Sequence, residues 1–302
     1  MRMPDGGTAD RSLSPAGPRP VGEQLPGDAQ FVHLWLSIKL SSETRRAYAA
    51  EVARFQGFAS KPLPQVTLAD LQAYADRLAQ GGLKVASQNR AITAVKSLLS
   101  FGHETGYLPF NVGAALKLRP SRDFLAQRIL DEDEVARLIE AALKGRDRVL
   151  LRLLYISGIR AAELCGLTWR DALPRRDGGQ ITVFGKGCRT RTVLLRPNIW
   201  RDLLSLQRAA GAPSDPIFRS RNGGGRLDAS QVRRIVYAAA RRAGFEKNVS
   251  PHWLRHAHAS HALDHAAPIH LVQATLGHAS LTTTGRYLHA RPTESSSFYL
   301  PD

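Results

Sequence analysis

One stretch, QITVFGKGCRTRTVLLRP (residues 180–197), alternates apolar and polar residues about the turn Gly185-Lys186-Gly187. That is the pattern of two strands reversing through a hairpin. In most of the rest of the chain after residue 27 the apolar residues recur at helical spacing. A chain with one alternating stretch among many helical ones can close only a small sheet. The expected fold class is mainly α with a small antiparallel sheet.

The helical stretches fall into two groups. FVHLWLSIKL is a short amphipathic helix, and SSETRRAYAAEVARFQGFA places Tyr48, Val52 and Phe55 on one side. TLADLQAYADRLAQGG opens with a Thr67-x-x-Asp70 capping pattern and stops at Gly81-Gly82. SQNRAITAVKSLLSFGHETG sets Ile92, Val95 and Leu99 on one face. These four helices predict a compact bundle over residues 28–110. Residues 1–27, with five Pro and five Gly among small polar residues, read as disordered. Residues 111–128 are basic, carry Pro120 and have weak periodicity, as a linker would. A second domain, 129–290, opens with LDEDEVARLIEAAL, whose acids sit at a helix start, where the backbone dipole favours them. The apolar helix RVLLRLLYISG, the hairpin and further helices follow, then a tail, 291–302.

Charge narrows the partner. Lys and Arg total 42 against 26 acids, a net of +16, so the chain should be drawn to a polyanion. Both halves of the chain are basic, as two lobes gripping one duplex would be. A basic surface of the kind found on ribosome-associated factors would give the same balance. No stretch is long and apolar enough to predict a membrane span, and the N-terminus has no apolar core of a secretory signal. Cys165 and Cys188 make neither a disulfide framework nor a zinc motif and fit a reducing cytosol.

SPHWLRHAHASHALDHA holds five histidines. Ser250 followed by Pro251 marks a helix start, which sets His252 and Arg255 on one face near the N-terminus. Free backbone N–H groups and the dipole favour an anion there, so the pair suits a phosphate; a helix-end ion pair is the plainer reading. His258, His261 and His265 share another face, a geometry that could hold zinc. No HExxH and no Cys or carboxylate at ligand spacing accompanies them. Packing and polar surface are the expected roles of His256, His258, His261 and His265, and no metal is expected.

Three other stretches carry chemistry-bearing residues. Arg160 follows a helix stop at Gly158, with Glu163 three residues on; a surface pair between them is the alternative. Lys186 sits at the hairpin tip. The chain has 34 Arg and only 8 Lys, and lysine can give up a proton where arginine cannot. The alternative is a solvated turn. His278 follows Gly277, and Tyr287 comes nine residues later; taken alone, it reads as a core or interface tyrosine.

Taken together, SGIRAAEL, GKGCRTR, SPHWLRHAHASH and LGHASLTTTGRYLH resemble the tyrosine recombinase (phage integrase) family, its Xer-like and integron-like members above all. The resemblance spans about residues 28 to 291. It implies an N-terminal core-binding bundle and a C-terminal α+β catalytic domain. It implies an enzyme that recombines DNA at specific sites through a 3′-phosphotyrosyl intermediate, without metal, ATP or other cofactor. Arg160, Lys186, His252, Arg255, His278 and Tyr287 would form the catalytic set, with Tyr287 as nucleophile and Glu163 in support. Double-stranded DNA would be the partner, bound by a homotetramer on two sites, with room for accessory DNA-binding proteins. Location would be the cytoplasm, at the nucleoid. Thr44, Arg45, Asn89, Arg90 and Lys96 are the candidates for DNA contact in the first domain. The tail would dock into a neighbouring subunit. A related relaxing topoisomerase, and a DNA-binding protein without catalysis, are the other readings.

Overall fold

The computed structural model describes residues 27–120, 124–185, 190–209, 211–221 and 223–288. Almost all of the segment read as disordered, and the whole tail 291–302, lie outside the described residues. The chain divides into two compact units, 1–122 and 123–302.

The first unit holds α1 (Asp28–Ser37), α2 (Ser42–Ala59), α3 (Leu68–Gln80) and α4 (Val85–Glu104). The expected capping box of α3 is present: Thr67 accepts from the Asp70 amide, and Asp70 accepts from that of Thr67. The core is aromatic. Phe31 stacks on Tyr107 with ring centroids 4.0 Å apart, Trp35 stacks on Tyr48, and Phe55 meets Tyr74 edge-on. Asp28 fastens this core, accepting from the Tyr107 hydroxyl at 2.5 Å and from the Leu63 amide at 2.8 Å. Val52, Ile92, Val95 and Leu99 are buried, as their spacing requires.

The stretch read as a linker packs in two pieces. Val112 and Leu116 lie against the first core, and Asn89 pairs with both the amide and the carbonyl of Arg119. Leu125 and Ile129 belong to a cluster of the second unit.

The second unit contains α5 (Glu132–Glu140), α6 (Arg146–Ser157), α7 (Ala161–Gly166), β1 (Ala172–Arg175), β2 (Gly178–Phe184), β3 (Thr190–Leu195), α8 (Pro197–Leu204), α9 (Ala229–Arg242), α10 (Pro251–Asp264), α11 (Ile269–Leu276) and α12 (Leu281–Gly285). The first acids of α5 form a capping box, Asp131 with Glu134. The sheet has three antiparallel strands in the order β1-β2-β3, one more than the expected pair. The added strand is four residues long and contains Pro174, which is tolerated because β1 is an edge. Ile181 faces Val193 across the hairpin, and both lie in the main core. α6 runs through that core, with Val149, Leu150, Leu151, Leu153 and Leu154 all buried. It therefore gives α10 a rigid surface to pack along. No helix among the described residues is long and apolar enough to cross a membrane.

Candidate active site

The site is assembled where α6 ends. Gly158 closes α6 in the left-handed conformation, φ 59°. A Cβ there would lie 2.7 Å from both His258 and Leu276, so backbone angle and close approach each call for glycine. The turn delivers Arg160 to the position just before α7. Glu163 folds back onto it: the carboxylate accepts from the Arg160 amide and from Arg160 Nη1, each at 2.8 Å.

That carboxylate also accepts from Arg191 of β3, Nη2 at 2.7 Å and Nη1 at 3.1 Å, while Arg191 Nε donates to the Thr275 carbonyl. The Arg160–Glu163 pair forms, but the Glu163 side chain is buried beneath the half-exposed Arg160. Burial opposes its charge. The hydrogen bonds from Arg191 and Arg160 outweigh that and bring its carboxyl below the usual value.

α10 supplies the next groups. Arg255 is 4% exposed. Its Nη1 donates to the Gly158 carbonyl at 2.5 Å and its Nη2 to the Leu276 carbonyl at 2.8 Å. Burial, then the nearby Arg160, lowers its pKa to about 10, which leaves it cationic at neutral pH. His252, one turn earlier, is exposed at the mouth. Partial desolvation and the charges of Arg255, Arg160 and Arg233 hold its pKa below the ordinary histidine value. The two residues share a face as expected, one at the floor and one at the rim.

α11 ends on Gly277, again left-handed at φ 66°, and the chain turns into His278. His278 Nδ1 pairs with Thr284 Oγ1 at 2.9 Å. Burial first, then Arg255, Arg160 and Arg191, puts its pKa at about 4. Tyr287 follows α12 and is buried against Ala259, Val272 and Leu276. Its ring lies parallel to that of His278, centroids 6.4 Å apart. Its hydroxyl is 2.8 Å from Nδ1 of His256. Burial raises the phenol pKa, against the pull of Arg255, Arg286 and Arg160.

Lys186, which falls between β2 and β3 in the sequence, lies outside the described residues. Arg160, Glu163, His252, Arg255, His278 and Tyr287 come together. The other histidines of this stretch diverge: His258 packs against Gly158, Tyr155 pairs its hydroxyl with His261 Nδ1, and His265, just after α10, meets Glu132 through Nε2. Among the described residues, no three His, Cys, Asp or Glu side chains are grouped to hold a metal ion. The arrangement is a cationic pocket with a phenol in it, suited to a phosphate and a nucleophile.

Residues 128–294 match the profile described as the phage integrase family, and residues 29–105 match the phage integrase N-terminal SAM-like domain. The chain belongs to the phage integrase family. Among curated relatives of this integrase-family chain is tyrosine recombinase XerC of Xanthomonas campestris pv. campestris (strain B100). It is 34% identical over 267 residues, covering 86% of this chain and 82% of that one. The crystal structure of XerA recombinase is 29% identical with a TM-score of 0.51, covering 91% of this chain and 98% of that one. A lambda integrase tetramer bound to a Holliday junction is 20% identical with a TM-score of 0.70, covering 88% and 77%, a likeness of fold.

Two residues of this integrase-family pocket escape the sequence reading. His256 is expected to serve packing or surface polarity, and it holds the Tyr287 hydroxyl instead. Arg191 lies inside the quoted string GKGCRTR, but nothing in the string shows that its side chain reaches Glu163. In the first unit, Arg45 is exposed and donates to the Lys39 carbonyl. Arg90 is exposed and pairs with Glu51. Thr44 lies in the first turn of α2, where its amide donates to Ser41. Asn89 and Lys96 are engaged internally, Lys96 with the Leu116 carbonyl.

Proposed function

We propose that this chain cuts and rejoins DNA at specific sites, with the phenol oxygen of Tyr287 attacking a backbone phosphate. The attack forms a 3′-phosphotyrosyl link and releases a 5′-hydroxyl. A 5′-hydroxyl from a second strand then reverses the step with a new partner. One phosphodiester replaces another, so the exchange is nearly isoenergetic and needs neither ATP nor, in this reading, a metal ion. The observation that carries this is the pocket itself: two guanidiniums and three imidazoles, drawn from the α6–α7 turn, α10 and the α11–α12 turn, around one buried phenol.

Roles follow from charge. The phosphate gains negative charge in the transition state, and Arg160 and Arg255 are the donors for its non-bridging oxygens. Each such contact is worth about 3–4 kcal/mol by analogy with an oxyanion-hole donor. Glu163 aims Arg160. His278, its Nδ1 taken by Thr284, offers Nε2 to a phosphate oxygen. His252 at the rim holds the phosphate or helps deprotonate Tyr287. Lys186 protonates the departing 5′-oxygen. Duplex DNA is the partner, drawn by the net charge of +16. Thr44, Arg45 and Arg90 are the contacts proposed in the first unit. The working assembly is a tetramer on two sites.

The test is a covalent adduct. The chain is mixed with genomic DNA fragments, quenched with detergent, and the protein-linked DNA is isolated and sequenced. The expected result is an adduct at discrete sites that disappears in Tyr287→Phe. An adduct that survives Tyr287→Phe, or none with the unaltered chain, overturns the reading.

A further inference from the structure

Two imidazoles, His256 and His278, flank the Tyr287 ring and a third, His252, lies beside His256; they differ in what they can do for its hydroxyl. His278 lies with its ring plane within 5° of parallel, centroids 6.4 Å apart, and with its Nδ1 on Thr284. With that nitrogen engaged, no hydrogen bond joins His278 to the Tyr287 hydroxyl among the described residues. His252 stands at the exposed start of α10; its ring centroid is 6.4 Å from that of His256, and no hydrogen bond joins it to Tyr287 among the described residues. His256 alone places a ring nitrogen on the phenol oxygen, Nδ1 at 2.8 Å, with the rings tilted by 44°.

We propose that His256 takes the phenolic proton of Tyr287 as the bond to phosphorus forms, which leaves His252 to the phosphate. This rests on Tyr287 being the nucleophile. In the forward step the Oη–H bond breaks and its proton passes to His256 Nδ1. Oη bonds to phosphorus, the P–O5′ bond breaks, and the 5′-oxygen takes its proton from Lys186. In the reverse step the incoming 5′-hydroxyl loses its proton to Lys186, and His256 returns its own to Oη.

The groups around His256 are cationic or neutral: His252 and Arg255 on its own helix, Arg128 before α5, Arg286 beside Tyr287, and the Tyr287 phenol. Burial first, and these neighbours next, hold its pKa at about 4, so at neutral pH the imidazole is uncharged and its lone pair can accept. A phosphate brought into the same surroundings offsets their positive charge and makes the imidazolium easier to form. The acceptor thus strengthens when substrate arrives.

The test uses the duplex on which the unaltered chain forms its Tyr287 adduct, with cleavage rates measured across the pH range and folding checked by thermal melts. His256→Ala should slow cleavage by about 10²–10⁴-fold, the usual range for a lost acid–base group, with DNA binding retained. Its rate should climb at high pH as solvent removes the proton. His256→Asn keeps an acceptor near the hydroxyl but cannot carry a proton, so it should be as slow as His256→Ala. An Asn variant at the full rate would mean that His256 only positions the ring, and overturns the proposal. So would a high-pH rescue in His252→Ala with His256→Ala unaffected. Nitrogen NMR of the unaltered chain reads the tautomer independently of any DNA: Nδ1 should be bare at neutral pH, and a proton on Nδ1 overturns the proposal. An adduct that persists in Tyr287→Phe fails at the underlying reading instead.

Discussion

Each unit buries one glutamate between two arginines, and the two arrangements differ in what covers the cations. In the first unit Glu51 is 5% exposed, but its partners Arg54 and Arg90 are 53% and 61% exposed. In the second, Glu163 is 6% exposed, and Arg160 and Arg191 are 38% and 11% exposed. The first is a surface tie whose cations keep their water. The second holds a desolvated cation, Arg191, beneath a half-exposed one that faces the pocket. The same trio of one glutamate and two arginines therefore braces a bundle in one place and supports a binding site in the other.

The comparison is sharpest if the carboxylates are removed. Glu163→Gln leaves Arg191 without its counter-charge and out of reach of water, and should lower stability by about 3 kcal/mol. Glu51→Gln leaves arginines that solvent can serve, and should cost about 1 kcal/mol or less. Denaturant titrations followed by fluorescence separate the two, because Trp35 reports on the first unit and Trp169, Trp200 and Trp253 on the second. Equal losses would break the contrast.

Acid should divide the units next. His256, His258 and His278 each have a folded pKa of about 4 against an ordinary 6.5, burial being the first cause in each. As pH falls below about 6.5 the unfolded chain binds protons that the folded unit refuses, so stability declines with acid and levels off below about 4. In the first unit Asp70, held to about 2 by the Thr67 amide and Lys61, contributes stability that is lost only as pH falls from about 4 towards 2. Melts between about pH 6.5 and pH 4 should therefore weaken the second unit and spare the first. His256→Asn should flatten the second unit's decline.

The smallest effect concerns two helix ends. Ser60 after α2 and Ala266 after α10 both adopt positive φ, 49° and 59°, without being glycine. Ala266→Gly should raise stability by up to about 1 kcal/mol. Ser60→Gly should gain less, since the Ser60 hydroxyl donates to the Gly57 carbonyl. Calorimetric melts of each variant check both.

How far the sequence could be read follows the range of the interaction. Helices α2, α3 and α5 were legible because spacing and caps lie within a few residues, as with Thr67 and Asp70 or Asp131 and Glu134. β1 was not: ALPR is four residues with a proline, and only its pairing with β2 makes it a strand. The grouping of Arg160, Arg255, His278 and Tyr287 was legible through the joint pattern of four motifs. His256 was not, because a helix position states which way a side chain points and not what arrives there, and Tyr287 arrives from 31 residues downstream. Arg191 is a similar case, since its carboxylate partner lies 28 residues upstream on another element.

The two carbonyls held by Arg255 belong to the C-terminal ends of different helices, Gly158 after α6 and Leu276 of α11. Each is the negative end of a column of aligned peptide dipoles. One planar fork thus rivets two helix tips together, and its cation is locked and stripped of solvent before any anion enters. An incoming phosphate meets a donor that need not reorganise. Arg255→Lys would retain the charge yet lose the rivet, because a single ammonium lacks the flat spread of donors that spans both tips.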